Sequence, residues 1–258
     1  MPIINSQQLE QIGFNIIGGF LASLLSLLFF WLCKKVADYI RYKNFKKIFG
    51  KDAENGFYIV YGKMVLLPSY DKNGNSIKWP YGKPGTNNLF NISSPVSFTE
   101  TKSAKYITEA FSRNINSTPK LISDDEIREK LDISYCSLGG YNNFKTIDIL
   151  ESEENEFFYI DLSTVEIVIK NETSKRYKVD GIYDYAVIIK VVPKSFSNRV
   201  WIGVAGLGES GTSGATWLLS RNWKKIKKLA KDKQFGLIIR VKAGKDESAE
   251  IIYQKVKK

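Results

Sequence analysis

From Ile12 to Cys33 the chain runs for 22 residues without a charged side chain, and Lys34-Lys35 follow at once. At about 1.5 Å of rise per residue, a helix of that length crosses a hydrocarbon core of about 30 Å. Residues 1–11 hold Glu10 and no Lys or Arg, whereas Lys34, Lys35, Arg41, Lys43, Lys46, Lys47 and Lys51 follow the run against Asp38 alone. Basic flanks stay in the cytoplasm, so the expected topology is single-pass in a cell inner membrane, N-terminus outside and C-terminal domain cytoplasmic. A cleavable leader would begin basic and carry a shorter apolar run; this segment reads as an anchor. The expected divisions are a short extracytoplasmic N-terminus (1–11), a transmembrane helix (12–33), a basic juxtamembrane helix (34–51) and a cytosolic domain (52–258).

Charge and composition prune the chemistry. The juxtamembrane run supplies about half of the formal charge of +11. Topology and attraction to anionic lipid explain such a run, so the membrane is the expected partner and nucleic acid is not. There is no histidine, which excludes Ser-His, Cys-His and His-metal mechanisms. Two cysteines, Cys33 and Cys136, cannot build a zinc site, and no metal, disulfide or cofactor is expected.

Past the span, 36–49 reads as an amphipathic helix with Val36, Tyr39, Ile40 and Phe45 apolar, stopped at Gly50. A strand is expected over 57–67. A Gly-, Pro- and Asn-rich surface loop follows over 68–95, with a turn at Asn73-Gly74. Helical spacing covers 101–114, and Ser123 with Glu126 is spaced as a capping box opening a short helix to 130. A strand over 132–138, a helix over 145–151 and a meander (157–161, 165–170, 176–179) come next. The runs 185–192 and 200–205 are unbroken and apolar, as in strands buried on both faces. A glycine-rich loop (206–214), a helix (215–233) and strands at 236–241 and 251–256 complete an α/β pattern with a mainly parallel sheet.

Two strand-to-helix turns carry the chemistry. The first holds Gly139, Gly140, Asn142 and Asn143; the second holds Gly206, Gly208, Ser210, Gly211, Thr212 and Ser213. Glycines let backbone approach a ligand, and a following helix N-terminus favours an anion. Alternatively, the glycines serve only tight turns and helix–sheet packing. Gly206 to Gly211 fits G-x-G-x-x-G, but no acidic strand end lies about 20 residues on, so NAD is not expected. The absence of G-K-[ST] excludes a P-loop.

The pair LGG-x-N-N and VAG-x-G-x-x-GT-x-GA, over about 133–241, resembles prokaryotic Rossmann-like domains of surface-layer-type proteins and of membrane-tethered sensors and effectors. Where many of those have proline after the double glycine, this chain has Tyr141. The resemblance implies a Rossmann-like domain used for ligand or nucleotide sensing rather than a known reaction; with the meander read above as an insertion, the expected fold class is α/β with an N-terminal transmembrane helix and a Rossmann-like, mainly parallel sheet.

Carboxylates available for acid–base work are Glu209, Asp184 and Asp180; a turn role for Asp180 and a dipole role for Glu209 explain two of them equally. In the span, Gly18, Ala22 and Ser26 recur every four residues, with Gly19, Ser23 and Asn15 beside them, a spacing that permits close helix association and a homo-oligomer. Three functions follow as expectations. The first is a sensor whose small anionic, nucleotide-like ligand controls association of the span, as in a prokaryotic defence effector. The others are a membrane-tethered hydrolase of a nucleotide or glycoside, and a structural tether.

Overall fold

The computed structural model describes residues 6–64, 69–70, 73, 76–77, 80–82, 89–91 and 96–257. In chain order the elements are α1 (Ser6–Phe49), a 3-10 turn (Lys51–Ala53), β1 (Phe57–Tyr61), β2 (Ser69–Tyr70), β3 (Ser76–Ile77), β4 (Pro80–Gly82), β5 (Leu89–Asn91), α2 (Phe98–Ile115), β6 (Lys120–Ser123) and β7 (Ser134–Leu138). There follow α3 (Phe144–Glu151), β8 (Phe158–Asp161), β9 (Glu166–Ile169), β10 (Glu172–Tyr177), β11 (Tyr183–Val191), a second 3-10 turn (Lys194–Phe196), β12 (Trp201–Gly206), α4 (Glu209–Ala230), β13 (Phe235–Lys242) and β14 (Lys245–Val256). The chain divides into two compact units, Met1–Asn44 and Phe45–Lys258.

In the first unit, α1 is long and apolar enough to cross a membrane, with a mean hydropathy of 1.8 over its most apolar window. Leu21, Leu25, Leu28 and Trp31 are exposed around it. Ser23 and Ser26 donate their hydroxyls to Gly19 O and Ala22 O, both at 2.8 Å, so the helix satisfies these polar side chains with its own backbone. Asn15 is exposed, and a Cβ added at Gly18 or Gly19 would meet nothing within 4 Å.

The second unit begins inside the last turn of α1. Phe45, Ile48 and Phe49 are fully buried, with Phe45 against Phe111 and Trp223 and Phe49 against Phe57. The boundary expected at residue 52 therefore falls within this unit. Gly50 adopts φ 90° and its N–H reaches Lys46 O, a left-handed helix stop that glycine takes without strain. Val36, Tyr39 and Ile40, expected on one apolar face with Phe45, are exposed.

A seven-stranded sheet, ordered β14-β13-β11-β12-β7-β1-β6, forms the centre. β6, β1, β7 and β12 are mutually parallel, β11 and β14 run the other way, and β13 lies antiparallel to both of those. The sheet is thus mixed, with five strands in one direction. β11 and β12 are buried along their lengths, as their unbroken apolar runs indicate. They pair antiparallel because a tight 3-10 turn, not a helix, joins them. One face is covered by α2, α4 and the end of α1; the other by α3 and the antiparallel meander β8–β10.

Three local expectations are corrected. Residues 124–129 form turns, not a helix: Ser123 and Glu126 do meet through the Ser123 hydroxyl, but Ser123 ends β6, a strand the sequence pattern missed. Asp124 then spends its carboxylate on the N–H groups of Lys63, Asp125 and Phe144. The glycine-rich segment 206–214 is largely helical, since α4 starts at Glu209. β1 stops at Tyr61, short of the expected 67, and 65–67 lie outside the described residues. Most of the loop expected over 68–95, including Gly74, also lies outside them; β2–β3 and β4–β5 are two short antiparallel ladders within it.

Candidate functional site

From β1 the chain passes over α2 to β6 on one side; from β7 it passes over α3 and the meander toward β12 and β11 on the other. The winding direction reverses between β1 and β7, and α2 and α3 leave on opposite faces. Such a reversal opens a crevice beyond the strands' carboxyl ends, where open α/β sheets bind ligands. The chain has a cavity of about 220 Å³ there, lined by residues following β1's neighbour β7, by the end of β12 and by the first turn of α2.

Both glycine turns reach it. Gly139, Gly140 and Asn142 from the first and Gly206, Gly208 and Thr212 from the second line the cavity, joined by Ser97, Thr99, Glu100 and Glu209. Gly139 sits at φ 96°, and a Cβ there would lie 2.5 Å from Glu100 Oε1. Only glycine lets that carboxylate touch the backbone. The N–H groups of Gly140, Tyr141 and Asn142 receive no acceptor among the described residues.

Glu100 is the residue that sequence reasoning missed. Ser97-Phe98-Thr99-Glu100 has capping-box spacing at the start of α2. The carboxylate instead accepts from Gly62 N at 2.8 Å and from Asn142 Nδ2 at 3.0 Å, and Ser97 makes no side-chain cap. Glu100 is 3% exposed. Burial holds its carboxyl above the ordinary value, the two hydrogen bonds pull it back in part, and Asp124 adds to the rise. A buried acid on a cavity wall can accept from ligand hydroxyls or carry a proton.

The second turn departs from its expected use. Asp184, at the start of β11, takes the N–H groups of Gly211 (2.6 Å), Tyr185 (2.7 Å) and Gly208 (3.1 Å). The donors expected to cradle an anion are thus filled by the chain's own carboxylate. Burial raises the Asp184 carboxyl, and these three bonds lower it in part. Ser210 Oγ accepts from Gly244 N, and Ser213 Oγ donates to Asp246 at 2.7 Å; both face the β13–β14 hairpin. Asn143 is fully buried as the N-cap of α3, accepting from Lys145 N and donating to Val60 O and Leu138 O.

Of the three acids expected to do chemistry, Glu209 lines the cavity, whereas Asp184 is committed to backbone. Asp180 accepts from Ile182 N and Tyr183 N in an exposed turn, which holds its carboxyl below the ordinary value. Burial pushes the Cys136 thiol up, away from nucleophilic use. No group of three or more metal-binding side chains occurs among the described residues. The lining offers carboxylates, hydroxyls, one amide and backbone, and no Lys or Arg. That set suits a ligand rich in hydroxyl donors more than a bare anion. No family model matches the chain, and no curated protein or solved structure is significantly similar to it.

Proposed function

We propose that the chain is a membrane-tethered sensor: its α/β domain binds a small nucleotide-like ligand in the crevice at the sheet's reversal point, and binding alters association of the anchoring helix. The observation that carries this reading is Glu100, a buried carboxylate withdrawn from its helix cap and set on the cavity wall. At about 220 Å³ the cavity lies below the roughly 300 Å³ at which drug-sized pockets begin, so it encloses a sugar-sized part and leaves the rest of the ligand outside. Hydroxyls of that part meet Glu100, and an acceptor such as phosphate meets the open N–H groups of Gly140–Asn142.

Two elements give the site a route to α1. β11 carries Asp184, which holds Gly208 and Gly211 beside the cavity, and six residues on Lys190, whose ammonium donates to Lys47 O at 2.5 Å. α4 runs from the cavity to a C-terminus beside which Asp232 pairs with Lys47 at 2.8 Å. In the bilayer, the face of Gly18, Ala22 and Ser26, with Gly19, Ser23 and Asn15, supplies the association surface. The orientation is N-terminus outside with the domain in a prokaryotic cytoplasm, consistent with the flanking charges.

The test is thermal stabilisation of the full chain in nanodiscs by nucleoside monophosphates, cyclic dinucleotides and sugar phosphates, with product analysis of each mixture. A ligand that raises the midpoint and is recovered intact supports the sensor. Glu100→Gln should abolish that rise. Glu100 and Glu209 on one cavity favour a second reading, a carboxylate-dependent hydrolase; it predicts that a probe is consumed and that Glu100→Gln stops turnover. No midpoint shift from any probe favours a structural tether.

A further inference from the structure

A second cavity, of about 160 Å³, also has Glu100 in its wall, together with Tyr61, Val96, Thr101, Ala104 and Leu121. It differs in chemistry from the first. Its lining is an aromatic ring, three aliphatic side chains and Thr101, whose hydroxyl is spent on Ser97 O at 3.1 Å. Glu100 thus belongs to the walls of both a cavity with polar groups and open N–H donors and an apolar slot. A nucleotide has the same order, with a hydroxylated sugar between a phosphate and a planar, stackable base. Resting on the crevice reading above, we infer that the ligand class is a ribonucleoside 5′-phosphate. Its ribose hydroxyls meet Glu100, its base occupies the slot against Tyr61 and Leu121, and its phosphate points to the Gly140–Asn142 turn. Stacking on an aromatic side chain tolerates any base, so the arrangement selects the sugar and the presence of a base before its identity. The Glu100 carboxylate already accepts from Gly62 N and Asn142 Nδ2, and its remaining lone pairs distinguish ribose from a sugar lacking its hydroxyls, which offers them no donor.

The test is calorimetric titration of the full chain in nanodiscs with adenosine 5′-monophosphate, its 2′,3′-dideoxy analogue and ribose 5-phosphate. The expected result is at least tenfold tighter binding of adenosine 5′-monophosphate than of either other probe. Leu121→Asp, at a site already 57% exposed and therefore tolerant of substitution, should weaken adenosine 5′-monophosphate about tenfold and leave ribose 5-phosphate unchanged. Equal binding of adenosine 5′-monophosphate and ribose 5-phosphate, or equal weakening of both by Leu121→Asp, overturns the assignment of the slot while the crevice stands as a sugar-phosphate site. Binding by none of the three overturns the assignment of ligand class, and the wider panel above then decides the crevice itself.

Discussion

At the scale of single residues, the two buried acids of the site have opposite uses. Asp184 is fully engaged by backbone donors, so its removal orphans the N–H groups of Gly208 and Gly211. Asp184→Ala should cost about 1–3 kcal/mol per orphaned donor, measured by urea unfolding. Glu100 is raised by burial, so the folded chain binds a proton at a pH where the unfolded chain has released it. The cost of ionising Glu100 is absent well below the ordinary carboxylate value and fully present above its folded-state value, so stability falls as pH rises between them. Glu100→Gln should flatten that fall and leave the neutral-pH midpoint unchanged or higher, even as ligand response is lost. A variant that melts lower by several degrees would mark Glu100 as structural. Neither partnership was legible locally: Glu100 reaches Gly62 across 38 residues and Asp184 reaches Gly211 across 27. Capping-box spacing at Ser97 points to the wrong bond, because tertiary partners outcompete the helix's own N-terminus.

At the scale of elements, the glycines divide into two kinds. A Cβ at Gly214 would lie 2.5 Å from Val241 Cγ1, so this glycine lets α4 press onto β13. Gly214→Ala should destabilise by about 1–3 kcal/mol through overpacking, read from the urea midpoint. A Cβ at Gly140 meets only Gly206 O at 3.7 Å. Gly140→Ala should hold stability within about 0.5 kcal/mol while weakening ligand response in the thermal-shift assay. Strand and helix positions were readable wherever periodicity was long, as in α2 and β13. The strand ends at Leu138 and Gly206 were readable because glycines close the apolar runs there. What failed was short or shared: β6 is four residues at a sheet edge, and the start of α4 is hidden by glycines that packing tolerates. The apolar runs did not fix the direction of β11 against β12, since burial on both faces does not itself set polarity.

At the scale of the whole molecule, the last turn of α1 is core. Phe49 packs on Phe45, Phe57 and Phe111, with ring centroids 4.5, 5.9 and 5.0 Å away. Phe49→Ala should destabilise the α/β unit by about 3–5 kcal/mol, measured by chemical unfolding. Beside it, burial pushes the Lys190 amine down to about 8, opposed by Asp232. The folded chain therefore binds fewer protons than the unfolded chain between about pH 8 and the ordinary lysine value, and stability rises with pH across that window. Lys190→Met should remove a rise on the order of 3 kcal/mol, taken as the difference between the two pH–stability curves. In the proposal above, the reversal-point crevice is the ligand site. Hydrogen–deuterium exchange of the full chain in nanodiscs, with and without adenosine 5′-monophosphate, tests it most directly. A ligand held in the crevice slows exchange over 97–101, 139–142 and 206–212. Unchanged exchange in all three segments, at a concentration that raises the melting midpoint, would contradict it.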